Sequence, residues 1–350
     1  MRIGLPREIK DGEFRVALTP AGVGELVRAG HEVTIGSNLG IGAGFSDLEY
    51  EKAGAMAGNP WDSELVIKVK ELQGPEYRLP RPGHTVFSFQ HFGPEPALLD
   101  AALASGARFI AFETVGQDDA SLPILAPMSA IAGRLALQVG AWCLQKHNGG
   151  SGTLLPGAAG VPPGNVLIIG AGNVGSNALA VAHGMGASVT VMAKSGKRFP
   201  ELKGKFPGVK FRSNSSIDVS AADLVIGGVL TPGQLSPRLI TRSMLRSMRP
   251  GSALVDVGID QGGIAETSRP TSHSDPIYIE EGVVHYCVPN MPAAVARTAS
   301  LALESAVLPF VREISRNYFS DSLKTGIQVQ NNKLTHEFLA RDTGRPYHPL

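Results

Sequence analysis

The fold is decided by the stretch NVLIIGAGNVGSNALAVAHGMGASVTVMA, residues 165–193. An apolar strand pattern runs directly into the spacing G-x-G-x-x-G, a helix pattern follows, and a second strand pattern ends the stretch. Gly170 suits a tight turn, Gly172 lets the backbone approach a pyrophosphate, and Gly175 allows close packing of helix on sheet. Because the helix N-terminus would face the phosphate charge, this context predicts a Rossmann dinucleotide site rather than an accidental tight turn. The predicted contacts are Gly170, Gly172, Asn173, Val174 and Gly175.

The end of the second strand bears on the choice of nucleotide. NAD sites usually carry an acidic residue about 20 residues further on, where it bonds the ribose 2′-hydroxyl. Here that position is Ala193, and a basic loop with Lys194, Ser195 and Arg198 follows it. A carboxylate would repel a 2′-phosphate, whereas this loop would bind one through charge-assisted hydrogen bonds. We therefore predict that NADP(H) is preferred over NAD(H); the alternative is that the loop is simply a solvated surface.

On both sides of this stretch, short apolar runs alternate with helix patterns. Strands are predicted at residues 31–36, 64–72, 84–92 and 107–115. Thr19 and Pro20 are typical of a helix start, Gly30 of a helix end, and residues 129–147 of a long, largely apolar helix. The alternation predicts an α/β fold with two Rossmann-like lobes, each built on a mostly parallel sheet.

Composition narrows the class of partner. The 350 residues are enough for about two domains. With 32 Lys and Arg against 31 Asp and Glu, no broad basic field is expected for nucleic acid, so a small-molecule partner is favoured. Cys143 and Cys287 lie far apart, which predicts a reducing compartment and no metal centre. The sequence lacks a signal-peptide pattern and a run of roughly 18 apolar residues, so we expect a cytoplasmic protein with no membrane partner.

Further motifs lie along the whole chain. They are GLPREIKDGEFRVALTP (residues 4–20), KVKE (68–71), FETV (112–115), LAPMSAIAGR (125–134), VDVGIDQGG (255–263) and VVHYCVPNMP (283–292). In this order they resemble the motifs of the alanine dehydrogenase and pyridine-nucleotide transhydrogenase family, most closely those of its alanine dehydrogenases. Many separate motifs in the right order are more specific than one glycine loop.

The resemblance implies a division of labour along the chain. A substrate domain would comprise residues 1–127 and 305–350, and a Rossmann NAD(P)-binding domain residues 128–304. Long helices would join the two lobes around a central cleft. Family members are usually homo-oligomers, so a hexamer or a dimer is expected.

The resemblance also assigns residues. The family's substrate-binding arginine and lysine fall on Arg15 and Lys70, and its catalytic histidine and aspartate fall on His91 and Asp260. Two more residues, Asn290 and Met291, would lie near the nicotinamide and the substrate. Ser129 would either touch the cofactor or only begin the long helix as its N-cap.

Side-chain chemistry agrees with these roles. Arg15 offers a bidentate fork and Lys70 a point charge for a carboxylate. A histidine such as His91 suits proton transfer near neutral pH, and Asp260 follows an apolar strand, where α/β proteins bind ligands. Each residue also has a structural alternative. Arg15 could form a surface ion pair, Lys70 could lie on the solvent face of an edge strand, His91 could be a structural residue within a strand, and Asp260 could cap a turn.

We therefore expect an oxidoreductase that interconverts an L-amino acid, with alanine as first candidate, and its 2-oxo acid plus ammonia, using NAD(P)(H). Ala193 departs from the family pattern, as do Gln90 and Phe92 on either side of His91. These departures favour the alternative of an NADPH-dependent imine or keto-acid reductase in a biosynthetic pathway. A third, less favoured hypothesis is a soluble transhydrogenase-like nucleotide-binding subunit that works with a membrane partner.

Overall fold

The computed structural model describes residues 1–116, 121–213, 215–229 and 236–350. The chain divides into two compact units: unit 1 contains residues 1–128 and 293–350, and unit 2 contains residues 129–292. The sequence placed the divisions after residues 127 and 304. The second division lies earlier because the helix that begins at Ala296 is already part of unit 1. From that helix, the Ser300 hydroxyl accepts a hydrogen bond from the Val16 amide at 2.9 Å.

The strands are short, and those at the centres of the sheets are buried. Within the described residues they are β1 Arg2–Leu5, β2 Glu32–Ile35, β3 Met56–Ala57, β4 Leu65–Ile67, β5 Thr85–Ser88, β6 Arg108–Ala111, β7 Asn165–Ile169, β8 Ser188–Ala193, β9 Lys210–Ser213, β10 Leu224–Gly227, β11 Ala253–Asp256, β12 Ile277–Glu280, β13 Val283–Tyr286, β14 Ile327–Gln330 and β15 Lys333–Leu334. Because a parallel sheet is covered on both faces, its central strands are continuous apolar runs rather than alternating ones.

The described residues form ten helices, most of which begin at a side-chain cap or a proline. They are α1 Pro20–Arg28, α2 Asp47–Lys52, α3 Pro96–Ser105, α4 Leu125–Cys143, α5 Asn173–Gly184, α6 Phe199–Lys205, α7 Arg242–Arg246, α8 Ala296–Ser315, α9 Asp321–Lys324 and α10 Glu337–Thr343. Thr19 caps α1 as predicted, since its side chain accepts the Ala21 amide. The long helix α4 begins at Leu125, so Ser129 lies inside it and the N-cap interpretation of Ser129 is wrong.

Unit 1 is built on an eight-stranded sheet in the order β15-β14-β6-β5-β4-β1-β2-β3. The pairs from β6 to β3 are parallel, and β14 and β15 add antiparallel strands at one edge. The chain runs from β1 outward to β2 and β3, then returns to β4 on the other side of β1. The strand order therefore reverses between β1 and β4, which is where open α/β sheets bind their ligands.

Unit 2 has the same kind of open, mostly parallel sheet, with seven strands in the order β12-β13-β11-β10-β7-β8-β9. All pairs are parallel except β12 with β13. The order reverses between β7 and β10, so the glycine loop after β7 lies at the switch point. The predicted fold class, α/β with two mostly parallel Rossmann-like sheets, is confirmed.

One helical stretch, Met291–Ser315, is long and apolar enough to cross a membrane by length and composition, although the sequence pattern predicted no spanning helix. A core helix meets the same two criteria. Charged residues on this stretch are engaged within unit 1: Glu304 accepts the Gly22 amide at 3.2 Å, and the Arg297 guanidinium lies 4.7 Å from the Phe45 ring centroid. Buried residues such as Leu303 and Val307 pack the same helix into that unit's interior.

Candidate active site

The predicted substrate residues of unit 1 lie on loops that follow neighbouring parallel strands. Arg15 is on the loop after β1, Lys70 follows β4, and His91 follows β5. Because the carboxyl ends of parallel strands meet at one edge of a sheet, the fold brings these loops together. A narrow cavity at the β1–β4 switch point is lined by Arg15 and by two other charged residues, Glu8 and Lys68.

Arg15 is a buried residue, with 2% of its surface exposed, so the surface ion-pair interpretation is wrong. It does form an ion pair, but an internal one. Glu13 accepts hydrogen bonds from Arg15 Nε at 2.7 Å and Nη2 at 2.6 Å, a bidentate geometry. The third guanidinium nitrogen, Nη1, lies 3.2 Å from the sulfur of Met128. Sequence reasoning missed Glu13, although an acid two residues before Arg15 was visible.

Lys70 lies beyond β4, which ends at Ile67, so the predicted strand over residues 64–72 is too long and the solvent-face interpretation is wrong. Lys70 is 8% exposed, and its Nζ lies 5.9 Å from the ring centroid of Phe89. The neighbouring Glu71 is equally buried and accepts a hydrogen bond from Lys10. The loop therefore presents a cation and an anion side by side.

His91 also lies beyond its strand, because β5 ends at Ser88. Its backbone has φ of +45°, a left-handed conformation that is uncommon for a residue with a side chain. That conformation is held from outside, since the His91 amide donates to Glu113 at 2.8 Å. The ring stacks on Phe89 with centroids 5.8 Å apart, and Nδ1 lies 3.0 Å from a Glu71 oxygen. The prediction that His91 belongs to a strand is therefore wrong.

The charge on Glu71 determines what His91 can do. Burial alone would raise the pKa of Glu71, but the hydrogen bonds with His91 and Lys10 and the charge of Lys70 hold its pKa far below the usual range. An ionised carboxylate only accepts hydrogen bonds, so Nδ1 of His91 must carry its proton. In the neutral ring, Nε2 is then the nitrogen with a lone pair, available for proton transfer to a substrate. The sequence pointed to His91 but not to Glu71 or Glu113.

Gln90 and Phe92, which flank His91, both point into the interior of unit 1. Gln90 is 0% exposed and donates to the Ser88 hydroxyl at 3.0 Å. Phe92 is 1% exposed and packs edge-on against Phe109, with ring centroids 5.8 Å apart. These departures from the family pattern therefore alter the packing behind His91.

The predicted dinucleotide loop of unit 2 has the geometry that a pyrophosphate needs. Gly170 has φ of +111°, and a side chain on it would come within 2.5 Å of the Gly228 carbonyl oxygen. A side chain on Gly175 would lie 1.9 Å from the Gly170 carbonyl oxygen, whereas one on Gly172 would meet nothing within 4 Å. Helix α5 begins at Asn173 and Val174, and no described side chain caps it. Among the described residues, the first amides of α5 therefore have no side-chain cap, as a helix N-terminus that binds a phosphate requires, so these residues fit a bound dinucleotide.

The basic loop after β8 reaches this glycine loop. Ala193 ends β8 and is 8% exposed, while Lys194 and Ser195 are exposed. Arg198 donates from Nη1 to the carbonyl oxygen of Ala171, within the glycine loop, at 3.0 Å. Its Nε also lies 3.4 Å from Glu201. Arg198 therefore contacts the glycine loop, while Lys194 and Ser195 are exposed, as the solvated-loop alternative expects.

Asp260 and Asn290, two further predicted residues of unit 2, lie close together at a turn. Asp260 is exposed and lies on a 3-10 turn, Val257–Gln261, that follows β11. The turn is held by buried Asp256, which accepts the amides of Gly258 at 3.1 Å and Ile264 at 2.7 Å. The amide of Asn290 lies 3.5 Å from a carboxylate oxygen of Asp260. Two other predicted cofactor residues are also described: Met291 is 3% exposed and Ser129 is partly buried.

Comparison with known proteins assigns the chain to a family. The family models described as alanine dehydrogenase/PNT, N-terminal domain, and alanine dehydrogenase/PNT, C-terminal domain, match residues 4–132 and 136–337. The chain belongs to the alanine dehydrogenase/PNT family. The family predicted from the sequence motifs is therefore confirmed.

Individual members of the alanine dehydrogenase/PNT family are similar over nearly the whole chain. The alanine dehydrogenase of Halomonas elongata is 47% identical, covering 99% of this chain and 98% of its own length. A solved structure titled L-alanine dehydrogenase superimposes with a TM-score of 0.94 at 42% identity, covering 98% of this chain and 99% of the other. The transhydrogenase structure from Sinorhizobium meliloti is less similar, with a TM-score of 0.82 and 26% identity over 96% of this chain and 99% of that one.

Proposed function

We propose that this chain catalyses the reversible reaction of L-alanine, water and NAD(P)⁺ to give pyruvate, ammonium, NAD(P)H and a proton. The observation that carries the proposal is the edge of the first sheet. There, buried Arg15 and Lys70 lie on loops next to a histidine whose proton is fixed by Glu71. The relatives named alanine dehydrogenase support alanine as the amino acid.

Arg15 and Lys70 hold the substrate carboxylate. Glu13 pairs with the Nε and Nη2 edge of Arg15 and fixes the orientation of the guanidinium, which supplies one positive charge for the carboxylate. Lys70 adds a second positive charge from the loop after β4. Two buried cations on fixed loops orient the α-carbon, and much of the catalytic effect of an enzyme comes from such positioning.

His91 moves protons on the oxygen and nitrogen groups that join or leave the reacting carbon. With Nδ1–H donated to Glu71, Nε2 accepts a proton from the attacking water and returns it when the hydroxyl or amine leaves. Asp260, on its turn in unit 2, serves the second proton transfer. The nicotinamide ring, when bound, supplies the hydride acceptor or donor.

NADP(H) is the nucleotide that the loop after β8 favours. Ala193 places no carboxylate against a 2′-phosphate, and Arg198 lies against the glycine loop with its guanidinium within reach of that region. Guanidinium groups bind phosphate through paired hydrogen bonds. The preference sets this chain apart from family members that carry an acidic residue at this position.

Initial rates of NADPH and NADH oxidation, with pyruvate and ammonium together and with each omitted, test the proposal. We expect oxidation that requires both substrates and is faster with NADPH at equal low concentration. Ammonium-independent oxidation of another keto acid would instead support the reductase alternative. Comparable rates with NADH would refute the NADP(H) preference while leaving alanine as the substrate. The homo-oligomer and the cytoplasmic location stay predictions.

A further inference from the structure

A buried cluster of charges lies directly behind the loop that carries Lys70 and Glu71. The Lys68 ammonium lies 2.7 Å from Glu76 and 3.4 Å from Glu8. Side-chain exposure is 0% for Lys68 and 5% for each glutamate. The cluster, Glu8–Lys68–Glu76, lies outside the set of Arg15, Lys70, His91 and Asp260 that the proposed reaction uses.

Glu8 does more than neutralise Lys68. Its other carboxylate oxygen accepts the Val69 amide at 2.6 Å and lies 3.4 Å from the Lys70 amide. One side chain from the loop after β1 therefore holds the main chain immediately before Glu71, the partner of His91. A shift of the main chain at Val69 would therefore also displace Lys70, which faces the substrate, and Glu71, which orients His91.

The electrostatics of the cluster argue against a simple stabilising role. Burial raises the pKa of Glu8, and the opposing charge of Lys68 offsets this only in part, since Glu13 and Glu76 add negative charge nearby. Burial disfavours the charged form of Lys68, yet the two glutamates hold its pKa above the usual value. Buried ion clusters of this kind often contribute no more stability than well-packed apolar side chains of the same volume. In some proteins they instead fix a single geometry.

The geometry points to Glu8 as a positioning residue for the substrate site, acting by fixing the main chain at Val69 and Lys70 so that Lys70 and Glu71 meet the substrate and His91 correctly. The cavity at the β1–β4 switch point supports this, because Glu8 and Lys68 line it together with Arg15. The inference rests on the proposed function for its kinetic consequence. The hydrogen bonds by which Glu8 holds the amides of Val69 and Lys70 do not depend on that function.

Two variants separate the hydrogen bond of Glu8 to the Val69 amide from its ion pair with Lys68. Glu8→Ala removes both, and we expect kcat/KM for pyruvate to fall about 10- to 100-fold, since small misplacements at a reacting centre have effects of that size. Glu8→Gln keeps an oxygen for the Val69 amide but loses the ion pair with Lys68, so its loss should be smaller. NADPH affinity, read by fluorescence, should be unchanged in both. Glu8→Gln also keeps the test valid if Glu8→Ala fails to fold.

The control is Glu49→Gln, since Glu49 likewise accepts a backbone amide, that of Ser46 at 2.7 Å, but in an exposed helix cap. It should lower the melting temperature slightly without changing kcat/KM. Hydrogen exchange of the peptide covering residues 65–73 gives a second readout. Exchange at Val69 and Lys70 should quicken in Glu8→Ala and not in Glu49→Gln.

The outcomes separate this inference from the proposed function. A Glu8→Ala protein that is less stable but has unchanged kcat/KM and unchanged exchange would overturn the positioning role. If the wild-type protein turns over no alanine or pyruvate, the proposed function fails, and exchange at Val69 and Lys70 still decides whether Glu8 tethers the loop. Faster exchange together with a raised KM for pyruvate would establish it.

Discussion

Replacing Glu71 by glutamine should change which nitrogen of His91 carries the proton. In the wild-type protein, one Glu71 oxygen pairs with Lys10 and the other with His91 Nδ1 at 3.0 Å. Glutamine has only one acceptor oxygen, and the Lys10 ammonium must donate to that oxygen because an ammonium group cannot accept a hydrogen bond. The NH₂ group then faces His91 and forces Nδ1 to become the acceptor. The proton moves to Nε2, so the neutral ring can no longer accept a proton from the substrate side.

The expected loss follows from that change. General acid–base catalysis contributes about 100- to 10,000-fold, so Glu71→Gln should lower kcat/KM for alanine by at least about 100-fold, or ~2.7 kcal/mol of transition-state stabilisation. The assay is NADP⁺ reduction with L-alanine, with NADPH affinity measured separately by fluorescence. Glu64→Gln is the matched control, because Glu64 accepts the Arg2 amide at 2.8 Å in an exposed part of the same unit. A loss below about threefold in Glu71→Gln would refute the reasoning.

The remaining predictions concern the nucleotide loops and acid stability. Ala193→Asp should shift the ratio of kcat/KM for NADH over NADPH upward by about tenfold or more, because a nearby charge pair is worth on the order of 2 kcal/mol or more; an unchanged ratio would mean that the loop is only solvated surface. Gly175→Ala should lower the melting temperature, since its new Cβ would lie 1.9 Å from the Gly170 carbonyl oxygen, and overpacking costs about 1–3 kcal/mol. Gly172→Ala has open space around it and should melt like wild type while binding NADPH more weakly; equal melting temperatures for both variants would contradict the close packing of Gly175 against Gly170. Because the folded pKa of Glu71 lies below the ordinary value of 4.5, its contribution to stability is present above that pH and is lost as the pH falls below it. Between about pH 5 and pH 3, the free energy of unfolding measured in urea should therefore fall more for the wild-type protein than for Glu71→Gln. If that free energy falls equally with pH in both proteins, Glu71 is not ionised in the folded state.

The dinucleotide site could be predicted from sequence because its determinants are local. Gly170, Gly172 and Gly175 act through their own backbone within one β-turn-α unit, so spacing alone specifies the loop. The start of α1 was predictable for the same reason, since Thr19 caps the helix that Pro20 begins. In both cases, the interacting atoms are only a few residues apart.

The substrate side of the site was only half predictable. Arg15, Lys70 and His91 were found by type and motif, but their carboxylate partners were not. Glu71 meets His91 across 20 residues, and Glu8 meets Val69 across 61, so these contacts exist only after the strands align. The predicted ends of the strands were wrong for a related reason. The apolar run of residues 84–92 continues past Ser88, where the strand ends, because Phe89 and Phe92 are buried in irregular structure.

Unit 1 is assembled from two distant parts of the chain, and this affects how it can form during synthesis. Unit 2 is one continuous segment, so all of its strands are synthesised before residue 293 is added to the chain. Until then, β6 has an open edge, because its outer neighbour β14 pairs with it through Ile327 and Ile110. The Val16 amide likewise lacks its acceptor, the Ser300 hydroxyl, until α8 has been synthesised. The newborn chain thus carries an uncovered strand edge for as long as it takes to translate unit 2, and open edges of this kind recruit other chains. Loss of the last few dozen residues would make that transient exposure permanent, and such a truncated chain should aggregate rather than remain in solution with lower activity.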